Sequence, residues 1–336
     1  MKAHLMFRER DFGWELEPLA MRPWTVKEMT KMSPHEEALT QDLELNTLFR
    51  AMAGGDEFLL QAAKLAVFSG LQNDLETILY RQAIFKDCLR NESIVKDIYD
   101  LAVEATSGER RRWLGIASRF PGGILSDAVR LLQVLMDVIA KLKRIADEQA
   151  GKFESEGLTT LFKMLKAELA DDYFAALKAR LKELEFSDGV LMSAELGAGN
   201  QGGGYVLRQS LRPGPNWFQR IFSWRSSAYT FYLNGRDEAG FRALSELRDE
   251  GINLVANAVA QATDHVASFF VMLRVELAFY IGCLNLRHHF DSKKTPICFP
   301  VPAQAGARKH SFKELRDACL VLSMERSVVG NDLEAD

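Results

Sequence analysis

The sequence predicts a mainly α protein, with an elongated multi-helix core, long lever helices and a small β insert. Residues 235–291 contain no proline and carry apolar side chains at helical spacing. Residues 124–186 hold two further helical stripes, and residues 187–234 change to glycine-rich, strand-like sequence. Long helices on either side of a short β segment therefore define the expected architecture.

The long return helix, residues 235–291, is the longest expected element. Its apolar residues recur at steps of three and four, which places them on one stripe of a helix. A second apolar set widens this stripe, as is typical of a helix buried between others. An unbroken helix of this length spans roughly 80 Å, so we expect a break or bend at Gly251 or Gly282. The stripe consists of Ile252, Val255, Val259, Val266, Phe270, Leu273, Leu277, Ile281 and Leu284, widened by Phe269, Val275, Phe279 and Leu286.

Residues 1–32 are an expected irregular N-terminal segment, in which residues 1–12 allow a strand. Residues 33–123 are predicted to form a helical core, because helix start and stop signals recur along them. Ser33 to Glu36 has the pattern of a capping box with proline at the first helical position, so one helix is expected from Ser33 to Gly54. Further helices are expected from Asp56 to near Gly70, from Leu71 to Asn91, from Ser93 to Thr106 and from Glu109 to Arg119, before a break at Pro121–Gly123.

Residues 124–186 are expected to form a long antiparallel helix pair, the lever. Its two helices, residues 124–149 and 158–186, carry apolar stripes over several turns, and only a short connector containing Gly151 and Gly157 separates them. The small β insert, residues 187–234, follows. Its strand-like segments are Val190–Leu196, Tyr205–Arg208 and Tyr229–Leu233.

Residues 292–336, after the return helix, are expected to be an extended or β segment. Thr295–Pro302 should be extended, because proline and the residue before it disfavour helix. Ser327–Asp336 resembles a strand, whereas Phe312–Leu322 fits either a helix or a strand.

The composition is that of an ordinary globular chain and excludes several classes of function. The net charge of −4 gives no overall basic signature for nucleic acid, although a local basic patch remains open. The four cysteines form no CxxC pair, which argues against a zinc site. The charged N-terminus lacks the apolar core of a signal peptide, so a cytoplasmic location is expected. Arg274 and Glu276 interrupt the most apolar window, so a buried helix is predicted there and no membrane partner.

A formal GxGxxG motif lies at Gly197–Gly202. A dinucleotide site needs a strand before this motif and a helix after it, but strand-like Tyr205–Arg208 follows here. A phosphate-binding P-loop needs Lys-Ser/Thr after the glycines, and none is present. The sequence therefore favours a flexible hairpin loop, and we expect the chain neither to bind nor to hydrolyse ATP.

The segment from Trp217 to Arg225 interleaves aromatic and basic side chains. Such a surface can stack on exposed bases while its guanidinium groups meet phosphates. It can equally dip into a membrane surface, or pack on the β insert, since most aromatic side chains simply bury area. The candidates for DNA contact in this segment are Trp217, Arg220, Trp224 and Arg225.

Arg110 and Arg111 form a second, weaker candidate for phosphate contact. They belong to a run of three arginines near an expected helix start, where a cation is unfavourable for the helix dipole. A solvated basic face is the simpler interpretation of this run.

We expect no catalytic, cofactor-binding or metal-binding residue in this chain. His288 and His289 end the return helix, where cations suit the dipole, and no acidic or cysteine partner stands at ligand spacing. Glu168, Asp171 and Asp172 lie on a lysine-rich helix, which is typical of a solvated face. No Ser/His/Asp or Cys/His arrangement is apparent, although a catalytic triad is defined in space rather than in sequence.

The order of these elements resembles the middle of the MutS-like mismatch-repair ATPases. Asp42–Leu45 and Asp74–Gln82 look like core helices of that family, and Val328–Asp332 looks like the stretch shortly before its Walker A loop. The resemblance spans roughly residues 38–336. It implies a helical core that emits lever helices, receives the chain back through a long helix and leads into a β-rich ATPase domain.

The sequence departs from this family at both ends. It contains no GxxxxGK[ST] motif and no mismatch-reading N-terminal domain, so we interpret it as a fragment or a truncated member. ATP and magnesium are then implied only for the missing ATPase domain. DNA is expected as a weak, non-specific partner of the fragment, and a homodimer is possible for the full-length protein.

Three functional hypotheses remain open. The chain is the core and lever segment of a MutS-like DNA-repair ATPase, which couples DNA contact to the nucleotide state of the missing domain. Alternatively, it is a helical scaffold or adaptor without DNA or nucleotide activity. The third hypothesis is an enzyme that uses the glycine loop.

Overall fold

The computed structural model describes residues 1–8, 34–69, 74–107, 120–186, 189–200, 202–208, 238–308 and 310–335. Within these residues the fold is mainly α, as predicted, with two small antiparallel sheets of two strands each. The helices are α1 (Pro34–Asp42), α2 (Leu45–Ala53), α3 (Glu57–Phe68), α4 (Leu75–Arg90), α5 (Glu92–Thr106), α6 (Pro121–Gln149), α7 (Glu156–Glu168), α8 (Asp171–Leu184), α9 (Glu238–Ser292) and α10 (Ala318–Ser323). The strands are β1 (Met192–Leu196), β2 (Gly202–Leu207), β3 (His310–Leu315) and β4 (Asn331–Ala335).

Aspartate caps begin two of the core helices. The Asp56 carboxylate accepts hydrogen bonds from the main-chain N–H groups at the start of α3, at 2.7 Å from Phe58 and 3.3 Å from Leu59. The Asp74 carboxylate accepts one from the Thr77 N–H at 2.8 Å. These bonds satisfy N–H groups that have no partner within a helix. The predicted start at Asp56 is confirmed, and α4 begins a few residues later than expected.

The single helix predicted from Ser33 to Gly54 is wrong, because the chain breaks between α1 and α2. Glu44 adopts a left-handed backbone with φ of 49°, which ends the α1 ladder. The Cys319 thiol of α10 lies 3.5 Å from the carbonyl oxygens of Leu43 and Glu44. A long-range contact therefore reaches the main-chain carbonyl groups at the break.

The second lever helix, predicted as unbroken from 158 to 186, is also two helices. The chain leaves helical geometry at Leu169, with φ −112° and ψ 45°. Leu169 is only 4% exposed, so its burial fixes the junction between α7 and α8. Gly157, predicted as connector, lies in the first turn of α7, where a Cβ atom would come within 2.6 Å of Ile84 and 2.7 Å of the Tyr80 hydroxyl. This glycine lets α7 approach α4 closely.

The predicted break at Pro121–Gly123 is the start of α6 instead. Proline is well suited to the first helical position, because its missing N–H needs no partner there. The Gly122 N–H donates to the Asp249 carboxylate of α9 at 3.1 Å. A contact with a residue far along the chain thus helps to hold a helix start in a sequence with weak helix propensity.

The return helix is confirmed as one element, α9, of 55 residues. The breaks expected at Gly251 and Gly282 do not occur, and both glycines instead allow close packing. A methyl group at Gly251 would collide with the Met192 side chain, and one at Gly282 would lie 3.2 Å from Cε of Met52. Close approach is therefore the role of these glycines.

The β insert begins as predicted. β1 and β2 pair antiparallel, with Met192 opposite Leu207 and Leu196 opposite Gly202. The third predicted strand, Tyr229–Leu233, and the helix predicted at Glu109–Arg119 lie outside the described residues.

The C-terminal segment has neither helix nor strand over Thr295–Pro302 and then forms a second hairpin. β3 pairs antiparallel with β4, with Phe312 opposite Leu333. The ambiguous stretch Phe312–Leu322 divides between the end of β3 and most of α10. The strand allowed in residues 1–12 does not form in residues 1–8, which are neither helix nor strand.

Contacts divide the chain into two compact units. Unit 1 draws on Met1–Trp113, Val134–Asp171 and His265–Asp336, and unit 2 on Leu114–Gln133 and Asp172–Asp264. Helix α9 contributes to both units, with the change at residues 264–265.

Each unit has its own apolar core. In unit 2, Ile252 and Ala256 of α9 are almost fully buried, and Thr263 donates its hydroxyl to the Ala128 carbonyl of α6 at 3.3 Å. In unit 1, the α9 stripe from Phe269 to Leu284 is buried, and Phe279 packs on a cluster that contains Phe49. The predicted stripe is therefore the side of α9 that forms these cores.

Helix α9 also meets the length and apolarity of a membrane span, but a core helix passes the same test, and 67% of its most apolar window is buried inside the fold. The charges in this region have partners within unit 1. Arg274 donates to the Thr106 hydroxyl at 3.1 Å, and its guanidinium lies 3.8 Å from the ring centroid of Phe58. Glu276 accepts two main-chain hydrogen bonds. Packing within the protein thus accounts for the apolar surface of α9.

Truncation of the buried stripe should destabilise the protein strongly. Phe270 and Leu277 are both 0% exposed, so replacing either by alanine should lower the free energy of unfolding by about 2–5 kcal/mol. Leu254 of the same helix is 83% exposed, and Leu254→Ala should change it by less than about 0.5 kcal/mol. Urea unfolding of the three variants measures this difference, and equal effects at all three positions would contradict the packing described.

Candidate functional site

The sequence-predicted DNA contacts lie outside the described residues, within 108–119 and 209–237. They stay predictions. The residues concerned are Trp217, Arg220, Trp224, Arg225, Arg110 and Arg111.

The glycine motif Gly197–Gly202 lies at the turn of the β1–β2 hairpin, as the sequence predicts. Gly199 has a φ of 73°, which glycine adopts without steric strain. The dinucleotide form of this motif holds the pyrophosphate at the N-terminus of the helix that follows. Here β2 begins within the motif, at Gly202. The hairpin therefore lacks the geometry on which dinucleotide binding by this motif depends.

A small basic cavity in unit 2 offers a described surface for an anion. Its volume is about 250 Å³, and it lies between the first half of α6, the end of α8 and the start of α9. Arg130 and Arg248 line it, and neither forms an ion pair with another described residue. Glu185 also lines it and accepts a hydrogen bond from the Gln133 amide at 2.6 Å. The two guanidinium groups can meet a phosphate by charge-assisted hydrogen bonds.

No local sequence pattern predicts this cavity, because each arginine lies close to acidic residues in the chain. Arg248 stands in the run Glu246–Glu250, and Arg130 follows Asp127 by less than one turn. Only the tertiary arrangement of α6 and α9 within unit 2 brings the two arginines to one cavity.

A buried carboxylate, Glu276 of α9, is the most unusual charged group in unit 1. It is 2% exposed, and one of its oxygens accepts hydrogen bonds from the main-chain N–H groups of Leu5 at 2.8 Å and Met6 at 2.6 Å. Burial raises the pKa of Glu276 to about 7, while these two hydrogen bonds and the charge of Arg81 favour the ionised form and limit the rise. In the sequence, this residue is visible only as a charge that argues against a membrane span.

The C-terminal segment of unit 1 exposes several large apolar side chains. Val301 is 94% exposed and Val329 is 82% exposed. A cavity of about 840 Å³ runs between the segment that follows α9 and strand β3. An isolated two-stranded hairpin is marginally stable in water, and exposed apolar side chains that form one patch are typical of interaction sites. The further exposed residues are Ile297, Leu315, Leu320, Met324 and Leu333.

The other polar candidates have ordinary contacts. His288 has an acidic partner that sequence spacing did not show, the Glu92 carboxylate at 2.9 Å. Glu168 lies 3.2 Å from the Met1 amino group and is half exposed. In the part of the chain that the structure describes, no group of three His, Cys, Asp or Glu side chains is placed to hold a metal ion.

Comparison with known proteins decides the family. The family model for the MutS2 N-terminal domain matches residues 73–293, about two thirds of the chain. The chain belongs to the MutS2 family. No curated protein and no solved structure matches it. The MutS-like resemblance is thus confirmed at the level of the family.

The matched region of this MutS2-family chain contains α4 to α9, with the basic cavity and Glu276. The apolar C-terminal segment from Lys294 onward lies outside the match. The family match does not establish the core-and-lever assignment or a role in mismatch repair. Both remain predictions.

The buried carboxylate should make stability depend on pH near neutrality. The pKa of Glu276 is about 7 in the folded protein, against an ordinary value of 4.5. The folded state therefore holds a proton that the unfolded state releases, and the resulting stabilisation is complete below pH 4.5 and is lost as the pH rises through 7. Between pH 5 and 8 the wild type should lose up to about 3 kcal/mol more than Glu276→Gln.

Urea unfolding at several pH values tests this prediction. The exposed residue Glu246 of the same helix provides a matched control, because Glu246→Gln should leave the pH profile of the wild type unchanged. Parallel profiles for the wild type and Glu276→Gln would contradict the burial of an ionisable group at this position.

Proposed function

We propose that this chain is the core and lever segment of a MutS2-family DNA-repair ATPase. In this proposal it couples DNA contact to the nucleotide state of an ATPase domain outside the sequence. The observation that carries it is the family match together with the unbroken helix α9, which contributes to both compact units. A continuous packed helix transmits displacement as a rigid element.

The attachment of α9 within unit 1 supports a mechanical role. Gly282 packs directly on Met52 of α2, and the Asn285 amide donates to the Met52 carbonyl at 2.9 Å. The His288 side chain meets Glu92 of α5 close to the end of the helix. These contacts tie α9 to the core helices at several levels, so that a displacement of the helix would be passed to them.

The apolar C-terminal segment supports the proposal that an ATPase domain packs against this chain. Its exposed residues, its cavity and its lone hairpin fit a surface that another folded domain covers. We assign ATP and magnesium to that domain and propose that this chain itself is not an enzyme. A cytoplasmic location and a homodimer of the full-length protein belong to the same proposal.

We propose two candidate DNA-binding surfaces. They are the aromatic and basic residues of the β insert and the basic cavity of unit 2. The net charge of −4 means that attraction must come from local clusters. Binding should therefore be weak, salt-sensitive and without sequence preference.

A helical scaffold or adaptor without DNA or nucleotide activity is the second candidate. The exposed apolar surface of the C-terminal segment favours it as much as it favours an ATPase domain, because a protein partner can cover the same surface.

DNA binding by the isolated chain tests the first proposal. Replacing Arg220 and Arg225 by glutamate should weaken binding to unrelated DNA sequences alike and flatten the salt dependence by about two units of slope at most. Fluorescence anisotropy with labelled DNA at a series of salt concentrations measures both effects. Circular dichroism checks that the variants are folded.

Charge reversal at Arg110 and Arg111 is the control, and Arg130→Glu with Arg248→Glu probes the basic cavity. If only the Arg110/Arg111 variant or only the Arg130/Arg248 variant loses DNA binding, the DNA surface lies at those two arginines and not on the β insert. If the wild type binds no DNA even at low salt, the proposed DNA contact by this segment is wrong and the scaffold is favoured.

A further inference from the structure

The first eight residues of the chain lie in a groove formed by three helices of unit 1. They are neither helix nor strand, yet Leu5 and Met6 are 0% exposed and Phe7 is 7% exposed. The groove is formed by side chains of α4, α7 and α9. Ala3 and the run Leu5–Phe7, which have no regular structure, are therefore buried as deeply as the core.

The groove binds this segment mainly through its backbone. Besides the two N–H groups that donate to Glu276, three successive carbonyls accept hydrogen bonds from helix side chains. The donors are the Tyr80 hydroxyl to His4 at 2.8 Å, the Tyr280 hydroxyl to Leu5 at 2.5 Å and the Arg81 guanidinium to Met6 at 2.8 Å. Residues 4–6 thus have five main-chain groups bound by α4 and α9.

The side chains of the segment add a specific pattern. Phe7 lies under the Arg81 guanidinium at 4.3 Å from the ring centroid, and Arg8 pairs with Glu156 of α7 at 2.6 Å. The pattern is three apolar residues in succession followed by a basic one. Main-chain hydrogen bonds for affinity and side-chain pockets for selectivity are the general features of extended-peptide recognition.

The groove residues lie on helices far along the chain from the segment that they bind. Tyr80, Arg81, Glu276 and Tyr280 follow the segment by 75 to 275 residues. The helices that carry them pack on other elements of unit 1, as Gly157 of α7 does on α4 and Gly282 of α9 on α2. The proposed exchange requires these contacts to hold the groove together when the segment leaves. An empty groove would leave the Glu276 carboxylate without its two donors, which favours an occupant.

We propose that this groove is a binding site for an extended peptide and that residues 1–8 are its intramolecular, exchangeable ligand. The ligand has two consecutive N–H groups that donate to Glu276, apolar side chains at three successive positions and a basic residue after them. Once residues 1–8 are cut from the rest of the chain, a free peptide of the same sequence replaces them in the groove.

Exchange in the folded full chain tests the proposal. A protease site inserted after residue 20 allows the segment to be cut from the folded protein. A labelled peptide of residues 1–12 is then added in excess, and its uptake is followed by fluorescence anisotropy and size-exclusion chromatography. The expected result is saturable one-to-one uptake that unlabelled peptide competes away.

Backbone recognition is tested with modified peptides. N-methylation of the Leu5 and Met6 amides removes both donors to Glu276 and should weaken competition at least about tenfold. N-methylation at Arg8, whose N–H makes no hydrogen bond to another described residue, is the matched control and should have a much smaller effect.

A protein variant supplies the reciprocal test. Tyr280→Phe removes the hydroxyl that donates to Leu5 and should weaken peptide uptake about threefold to tenfold. Tyr99 is another buried tyrosine of unit 1, and Tyr99→Phe should leave peptide uptake unchanged. The proposal is overturned if the cut segment never exchanges before the protein unfolds, if cutting itself unfolds the protein, or if the peptide methylated at Leu5 and Met6 competes as well as the unmodified one.

Discussion

Burial of the Glu276 carboxylate is the constraint on which unit 1 depends. An ionisable group in the apolar stripe of a long helix is strongly unfavourable unless donors reach it. The donors are the N–H groups of Leu5 and Met6, some 270 residues away in sequence. These two main-chain N–H groups therefore offset part of the cost of burying this carboxylate in unit 1.

The contacts around this carboxylate join several parts of unit 1. Tyr80 and Arg81 of α4 and Tyr280 of α9 bind the carbonyls of the same segment. The apolar stripe of α9 then packs on α2 and α3 through the cluster around Phe49 and Phe279. A firmly packed α9 is what a coupling role would require, because a loosely held helix would not pass displacement to its neighbours.

Local patterns predicted the elements of the fold well. The buried stripe of α9, the cap at Asp56 and the β1–β2 hairpin all follow from residue spacing and turn chemistry. Predictions failed where long-range packing overrides local propensity, as at Glu44, which lies between α1 and α2, and at Leu169, which lies between α7 and α8 and is buried. The glycines of α9 look like breaks in sequence but serve close packing, which only the tertiary structure reveals.

The candidate sites were less accessible to prediction for the same reason. Arg130 and Arg248 lie 118 positions apart and meet only through the packing of unit 2. The sequence shows Glu276 as an acidic residue among apolar ones. Its hydrogen-bond partners, Leu5 and Met6, belong to a segment whose sequence has no helix or strand periodicity. A lone charge on a buried stripe is thus a signal that a distant partner exists, without saying which.

The most direct test of this account is amide hydrogen exchange at Leu5 and Met6. Both N–H groups donate to a buried carboxylate, so they should exchange as slowly as the amides of the buried stripe of α9. In Glu276→Ala, exchange at these two positions should accelerate by more than about tenfold relative to that stripe. Rapid exchange at Leu5 and Met6 in the wild type, or rates unchanged by the substitution, would contradict the account.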